Sequence, residues 1–264
     1  MYFCSFSSDS SGNSYLIKNE NTAILLDCGI SCKKIVEGLR ENDIDTIDVD
    51  GILITHEHVD HVKSVATLSA KTDGATVYLS EGTKNSIDTS KFCDMCRVVK
   101  AGDEFEIGGI MVKVFNLSHD AKEPIGYSFK DGEGKLSVVT DTGIITEEIF
   151  EEIKDSDMLV MEANHEVNIL RMGDYPYPVK QRILGEEGHL SNETAGHFIA
   201  RFVKEQAKEK VPKVLLAHMS QKNNTPIQAY LTIRNILEEE GLHLDKDLEM
   251  QVLYKDKISP RFEV

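Results

Sequence analysis

No stretch of the chain approaches the run of about 18 or more apolar residues that a membrane-spanning helix needs, so a membrane protein is not expected. The start, MYFCSFSSDSSGNSYLI, also lacks the basic segment and continuous apolar stretch of a secretory signal, and a cytoplasmic location is the expectation. Cysteine is scarce. Its five copies, an odd number in a chain of 264 residues, fit reduced thiols better than a disulfide framework. Cys93 and Cys96 form a lone C-x-x-C with no second pair at zinc-ribbon spacing, which favours an incidental pair over a metal or redox site. No Pro-, Ser- or Gly-rich linker and no low-complexity tract divides the sequence, so residues 1–264 are expected to form one domain. Basic residues are in deficit: 29 Lys and Arg against 45 Asp and Glu give a net charge of -16. Non-specific binding to phosphate backbones is driven by Lys and Arg, so this balance excludes a generic nucleic-acid coat.

Against these absences stand recurrent short apolar runs rich in β-branched residues. They predict strands over 22–27, 51–55, 76–79, 110–116, 125–129, 136–141, 157–162, 213–218 and 250–254. Helical patterns fall between them at 32–41, 62–71, 145–154, 192–209 and 226–240. In the fourth of these, Ala195, Phe198, Ile199, Phe202 and Val203 recur at helical spacing and predict a core-facing stripe. DGEGK (131–135), between two strand-like runs, predicts a hairpin loop. Strands and helices alternate from end to end, which is an α/β pattern.

The densest chemistry is THEHVDH (55–61), which holds three of the nine histidines and two acids in seven positions. Imidazole is a poor solubiliser; its chemistry is proton transfer and metal ligation. Other candidate ligands also follow strand-like runs: Asp27, His119, Asp141 and His218. Strand ends along one sheet edge converge although they are distant in sequence. The loop after GILIT can aim His56 and His58 to one side and Asp60 and His61 to the other, toward two adjacent cations that His119, Asp141 and His218 complete. Neutral imidazoles suit zinc and other borderline ions, and a carboxylate can bridge two of them. Any one of these histidines alone reads as a hydrogen-bonded core or surface residue; together they read as a metal site.

THEHVDH resembles the signature of the metallo-β-lactamase superfamily. LLDCG (Asp27), LSHD (His119), VVTDTG (Asp141) and LLAHMS (His218) occur in that family's order over almost the whole chain. The resemblance implies a four-layer αββα sandwich with the metals at one edge. It assigns His56, His58 and His119 to one metal, Asp60, His61 and His218 to a second, and Asp141 to the bridge, with Asp27 supporting the histidine loop. The cofactor it implies is a pair of divalent ions, zinc, manganese or iron. His58 occupies a position where the family's di-iron oxidoreductases typically carry a carboxylate, which turns the expectation to hydrolysis.

MEANHE (161–166) and GHLSNETAG (188–196) resemble segments of ribonuclease Z and, more closely, of the YycJ (WalJ) group. The carry-over places a phosphate contact at His189 and its support at Glu162, with His165 matched to a YycJ-group residue; Asp60, His189, Glu162 and His165 are the expected catalytic residues. A helix starting after Ser191 also offers unpaired N–H groups to a phosphate near Ser191 and Asn192. Two divalent cations outweigh two carboxylates and a bridging hydroxide by one charge, so such a site attracts anions despite the acidic surface. The implied function is phosphodiester hydrolysis, with 5'-to-3' exonuclease action on DNA and a nucleic-acid or other phosphodiester partner. The alternatives are a cyclic small-molecule phosphodiesterase, a thioesterase or lactamase, for which GHLSN has no use, and an idle interaction protein, which would not need the complete ligand set. The sequence does not set an oligomeric state.

The cysteine reading has a direct test. A Cys93→Ser/Cys96→Ser protein is expected to keep its metal content and turnover, measured by elemental analysis and phosphodiesterase assay; loss of an ion from a folded variant would reverse the assignment.

Overall fold

The apolar runs become strands whose side chains are buried almost throughout, and their order decides where the polar residues emerge. The computed structural model describes residues 1–132, 134–207 and 210–264. These divide into two compact units: 1–116, 121–134 and 254–264 in the first, 117–120 and 135–253 in the second.

The first unit begins with an antiparallel meander, β1 (Tyr2–Ser7), β2 (Ser14–Lys18) and β3 (Ala23–Leu26). After α1 (Cys32–Glu41) come β4 (Gly51–Leu53), the short helices α2 (Val59–Val62) and α3 (Val65–Ser69), β5 (Thr76–Leu79), α4 (Glu81–Ser86) and β6 (Cys96–Val98). β3 to β6 pair in parallel, with Leu26 opposite Leu53 and Leu53 opposite Tyr78. Asp27 and the histidine segment therefore leave the sheet at the same carboxyl edge, the position where open α/β sheets place ligands. The core behind them gathers Phe6, Leu16, Leu25, Ile52, Val77 and Phe92, all buried. An antiparallel run of β7 (Glu104–Ile107), β8 (Ile110–Asn116) and β9 (Ile125–Asp131) also belongs to this unit.

The second unit repeats the parallel logic. Four parallel strands, β10 (Gly134–Val139), β11 (Met158–Glu162), β12 (Lys213–Ala217) and β13 (Glu249–Val252), alternate with α5 (Glu147–Ile153), α6 (Val167–Met172), α7 (Tyr177–Leu184), α8 (Asn192–Lys204) and α9 (Pro226–Glu239). Val139 lies opposite Met161 and Glu162 opposite Ala217, so Asp141, Glu162 and His218 emerge at one edge. α8 starts at Ser191, whose hydroxyl accepts from the Thr194 N–H. It buries Ala195, Phe198, Ile199 and Phe202, the predicted stripe, while Val203 stays half-buried. β14 (Phe262–Glu263) returns to the first unit and pairs with β1.

The differences from the sequence pattern have local causes. The helix expected over 62–71 starts earlier and breaks in two, because the Ser64 N–H turns to the Cys28 carbonyl and leaves the helical ladder. Asp60 and His61 consequently sit on a helical turn. β1 and β2 escape the pattern because their serines interrupt the apolar run, yet Ser5, Ser7 and Ser14 are buried. The helix expected over 192–209 ends at Lys204; 208 and 209 lie outside the described residues, as does Glu133 of the expected hairpin loop. Among the described residues, no helix is long and apolar enough to cross a membrane.

Candidate metal centre

In the first unit the site is built around Asp27, which is fully buried at the end of β3. Its carboxylate accepts from the Thr55 N–H (2.9 Å), the Thr55 hydroxyl (3.0 Å) and His61 Nδ1–H (2.8 Å). The Thr55 oxygen in turn accepts from His56 Nδ1–H at 3.0 Å. Both imidazoles are thereby fixed in the tautomer whose lone pair lies on Nε2, the atom a metal would take. The His56 ring centroid is 4.5 Å from that of His58 and 4.2 Å from that of His61, and Asp60 Oδ2 is 3.3 Å from His61 Nε2. Four of the expected ligands and their supporting acid are thus together.

A glycine makes this packing possible. The histidine turn lies against the backbone of 28–29, with Cys28 N–H donating to the His61 carbonyl (2.7 Å) and Asn13 N–H to that of Asp60 (2.9 Å). A Cβ added at Gly29 would stand 1.5 Å from the Asp60 carbonyl oxygen.

In the second unit the corresponding acid is Glu162, also fully buried. One oxygen accepts from His218 Nδ1–H (2.8 Å) and His189 Nδ1–H (2.9 Å); the other accepts from the backbone N–H groups of Leu190 (3.0 Å) and Thr142 (3.2 Å). Burial works to raise its pKa, but the His189 charge and the hydrogen bonds from His189 and His218 prevail and hold the carboxyl down to about 2. Asp141, Glu162, His189 and His218 each offer a ligand atom within 4.8 Å of the others. Asp141 Oδ1 is 3.4 Å from His218 Nε2 and 3.6 Å from His119 Nε2. His119 donates through Nδ1 to the Gly188 carbonyl at 3.1 Å, again presenting Nε2. Burial pushes His119 below its ordinary value despite the opposing pull of Asp141, so its imidazole is neutral and fit for ligation.

His189 differs from these candidate ligands. Burial would lower its pKa, but the neighbouring Glu162 charge and hydrogen bond raise it, and its side chain is 15% exposed where Glu162 is closed. His165 is 1% exposed, and neither ring nitrogen has a hydrogen-bond partner among the described residues. Burial first, with the like charge of His189 assisting, lowers its pKa to about 4 against the pull of Glu162. Ser191 caps α8, and the Asn192 side chain, fully buried, bonds Glu166 and Asn224. The relay hydroxyl of Thr55, Gly29, and the hold of Glu162 on His218 were not anticipated; a glycine two residues after a strand-end acid was the available signal for the second.

Three site residues, Asp27, Asp141 and His218, have φ of 60°, 59° and 53°, the left-handed region that L-residues other than Asn and Asp seldom enter. Each follows a strand end, and each is turned out of extended geometry there.

The donor set fits divalent metal: four imidazoles, His56, His61, His119 and His218, each have Nδ1 committed to a protein acceptor, and acids accompany them. The comparisons agree. The β-lactamase superfamily domain family matches residues 22–219, and the chain belongs to it: it is a metal-dependent hydrolase with the α/β metallo-β-lactamase fold, and it binds divalent metal. The crystal structure of the metallo-β-lactamase fold protein YhfI from Bacillus subtilis superimposes with a TM-score of 0.70 at 12% identity, covering 98% of this chain and 99% of that one. Within the family, the chain belongs with the YycJ/WalJ proteins. It is 34% identical to the exodeoxyribonuclease YycJ of Bacillus anthracis over 95% of this chain and 94% of that one. It is also 34% identical to the exodeoxyribonuclease WalJ of Streptococcus pneumoniae, over 97% and 96%.

Gly29→Ala is expected to destabilise the fold by about 1–3 kcal/mol, the usual cost of overpacking, and to weaken metal binding by about 10- to 100-fold, the usual effect of disturbing a ligand's support. Thermal unfolding and metal titration measure the two; a variant matching the parent in both would contradict the role given to Gly29.

Proposed function

We propose that the protein is a di-metal exonuclease that degrades DNA in the 5'-to-3' direction. The observation that carries this reading is His189, an imidazole held by Glu162 among the ligands yet partly open to solvent. The names of the YycJ and WalJ relatives, both exodeoxyribonucleases, support the substrate.

In this reading His56, His58 and His119 hold one cation, Asp60, His61 and His218 hold the second, and Asp141 serves both. Zinc, manganese and iron all suit these donors. When bound, the cations supply Lewis-acid stabilisation of phosphate charge and a water acidic enough to attack at neutral pH. Asp27 and Thr55 hold the histidine segment in the ligating tautomer. His189, whose protonated form the Glu162 charge and hydrogen bond favour, contacts the phosphate and gives its proton to the departing oxygen. Glu162 acts as the positioning acid for both His189 and His218, and His165, closed to solvent, is also assigned to positioning. His189 is the side chain assigned to the phosphate; the Ser191 hydroxyl serves the cap, the Asn192 side chain the buried amide network, and the Asn192 N–H the His165 carbonyl.

Residues 1–264 are taken as one domain, supported by a family match that runs through both compact units. A cytoplasmic address completes the reading, supported by five free cysteines.

The deciding assay compares end-labelled DNA and RNA, bis-p-nitrophenyl phosphate and a thioester under defined metals. DNA should be the best substrate, shortened from its 5' end; a thioester preferred over every phosphodiester would refute the reading. Metal analysis should find two ions per chain. Asp141→Ala should weaken both, whereas His218→Ala should chiefly loosen one, and equal losses would count against the shared carboxylate. His189→Ala should keep both ions but slow DNA cleavage by about 10²- to 10⁴-fold. The defect should be milder with a p-nitrophenyl leaving group, which needs little protonation; equal slowing would make His189 a phosphate holder instead of an acid.

A further inference from the structure

The serine-rich stretch SSDSSGNS (7–14) links β1 to β2 and closes around Asn13, which is 0% exposed. The Gly12 N–H donates to the Asp9 carbonyl at 3.1 Å, and the Gly29 N–H to the Asn13 carbonyl at 2.8 Å. A Cβ at Gly12 would stand 2.8 Å from Ile30 Cγ2 and 3.1 Å from the Gly29 carbonyl oxygen, so this turn and the histidine segment both pack against Gly29. Together with the bond from the Asn13 N–H to the Asp60 carbonyl, these contacts fix the Asn13 backbone beside Asp60 and His61, all within the first unit.

The Asn13 side chain is directed as firmly. Its Oδ1 accepts from the Asp9 N–H (3.2 Å) and from the Tyr15 hydroxyl (3.1 Å), which lies 2.9 Å from Ser8 Oγ. Nδ2 stands 3.3 Å from His61 Nε2. Because His61 donates its Nδ1–H to Asp27, Nε2 carries the lone pair and the Asn13 N–H is the donor. Turned over, the amide would set its NH2 group against the Asp9 N–H and its oxygen against that lone pair, so the network holds it in this orientation. Asp60 Oδ2 faces the same nitrogen at 3.3 Å. The two side chains act oppositely there: the carboxylate attracts a cation and repels an anion, while the amide N–H repels a cation and attracts an anion. An aspartate at position 13 would accept the same two bonds and offer the cation another ligand. What the amide brings instead is its donor.

We propose that Asn13 is a substrate contact: its side-chain N–H donates to a phosphate oxygen at the cation assigned to Asp60 and His61, so that cation and phosphate bind there cooperatively. The proposal rests on the nuclease reading for its substrate. A fixed N–H aimed at a cation position is repelled while the cation is alone and is satisfied once an oxyanion joins it. A donor already oriented toward that charge needs no reorganisation when the charge grows. Asn13 and His61 are both closed to solvent, so an oxygen atom borne by the cation can meet the amide where a base or sugar ring cannot.

The test is a calorimetric titration of the metal-loaded protein with inorganic phosphate, with turnover as a second readout. Asn13→Ala should keep its metal and lose about 10- to 100-fold in phosphate affinity, the range of a hydrogen bond to a charged group. Its kcat on bis-p-nitrophenyl phosphate should fall about 10²-fold, as when one donor to developing charge is removed. Phosphate should raise the metal affinity of the parent, and this coupling should shrink in Asn13→Ala, since linkage is reciprocal. Asn13→Asp, which keeps the size and both accepted bonds, should bind metal more tightly than the parent and phosphate more weakly than Asn13→Ala; it carries the test if Asn13→Ala does not fold. Phosphate affinity at the parent value in the folded variants, in a protein that degrades DNA, would overturn the contact and leave the nuclease reading standing. A drop in the metal affinity of Asn13→Ala measured without phosphate would overturn it in favour of a support for Asp60 or His61. A parent that prefers a thioester to every phosphodiester would overturn the nuclease reading; phosphate binding is read without turnover, so its loss in the variants would still support the donor.

Discussion

A fully buried carboxylate that has exchanged water for imidazole N–H groups governs each half of the ligand set. Asp27 takes His61 directly and His56 through the Thr55 hydroxyl; Glu162 takes His189 and His218 on a single oxygen. An ionised carboxyl away from water is costly unless every lone pair is answered, and here backbone N–H groups answer what the side chains leave. The imidazoles gain one tautomer and one orientation each. Within each unit the parallel strands exist, in functional terms, to bring the acid and its histidines to the same edge of their sheet.

The two acids nevertheless have different work. Asp27 holds Thr55 and His61, and in the proposed function the imidazoles it orients are all metal ligands. Glu162 divides its charge between His218, a ligand in that reading, and His189, which the same reading leaves for substrate. On that proposal the sharing couples the strength of metal binding to the acidity of the proton donor, because whatever draws the carboxylate toward one imidazole draws it from the other. A hydrolase that must hold its metals and also protonate a leaving group gains from having one residue adjust both.

Much of this was legible in the sequence. Nine strand runs and most helices could be read because their apolar residues recur at the periods of buried strands and amphipathic helices, and THEHVDH, LSHD, VVTDTG and LLAHMS were conspicuous by composition. What escaped was whatever depends on packing partners distant in sequence. The serines of β1 and β2 look solvent-loving until the fold buries them. Thr55 looks like the end of a strand until Asp27 is beside it. The break between α2 and α3 depends on a carbonyl 36 residues upstream of Ser64, at Cys28. GHLSN was read as both a helix start and a phosphate contact. In the proposed function those duties separate: Ser191 and Asn192 carry the helix start, while His189, with its own partner in Glu162, is assigned the phosphate.

The left-handed backbone at Asp27, Asp141 and His218 has a consequence for the protein as a product of selection. Glycine would sit in each of these conformations without strain, and relief of a left-handed residue is worth on the order of 1 kcal/mol. At Asp27 a glycine would also leave the Thr55 N–H and the His61 Nδ1–H without their acceptor, so the left-handed backbone there is held by the hydrogen bonds of its own side chain. At Asp141 and His218 the strained backbone is kept where candidate ligands stand, and the relief forgone there measures how strongly chemistry has been favoured over durability.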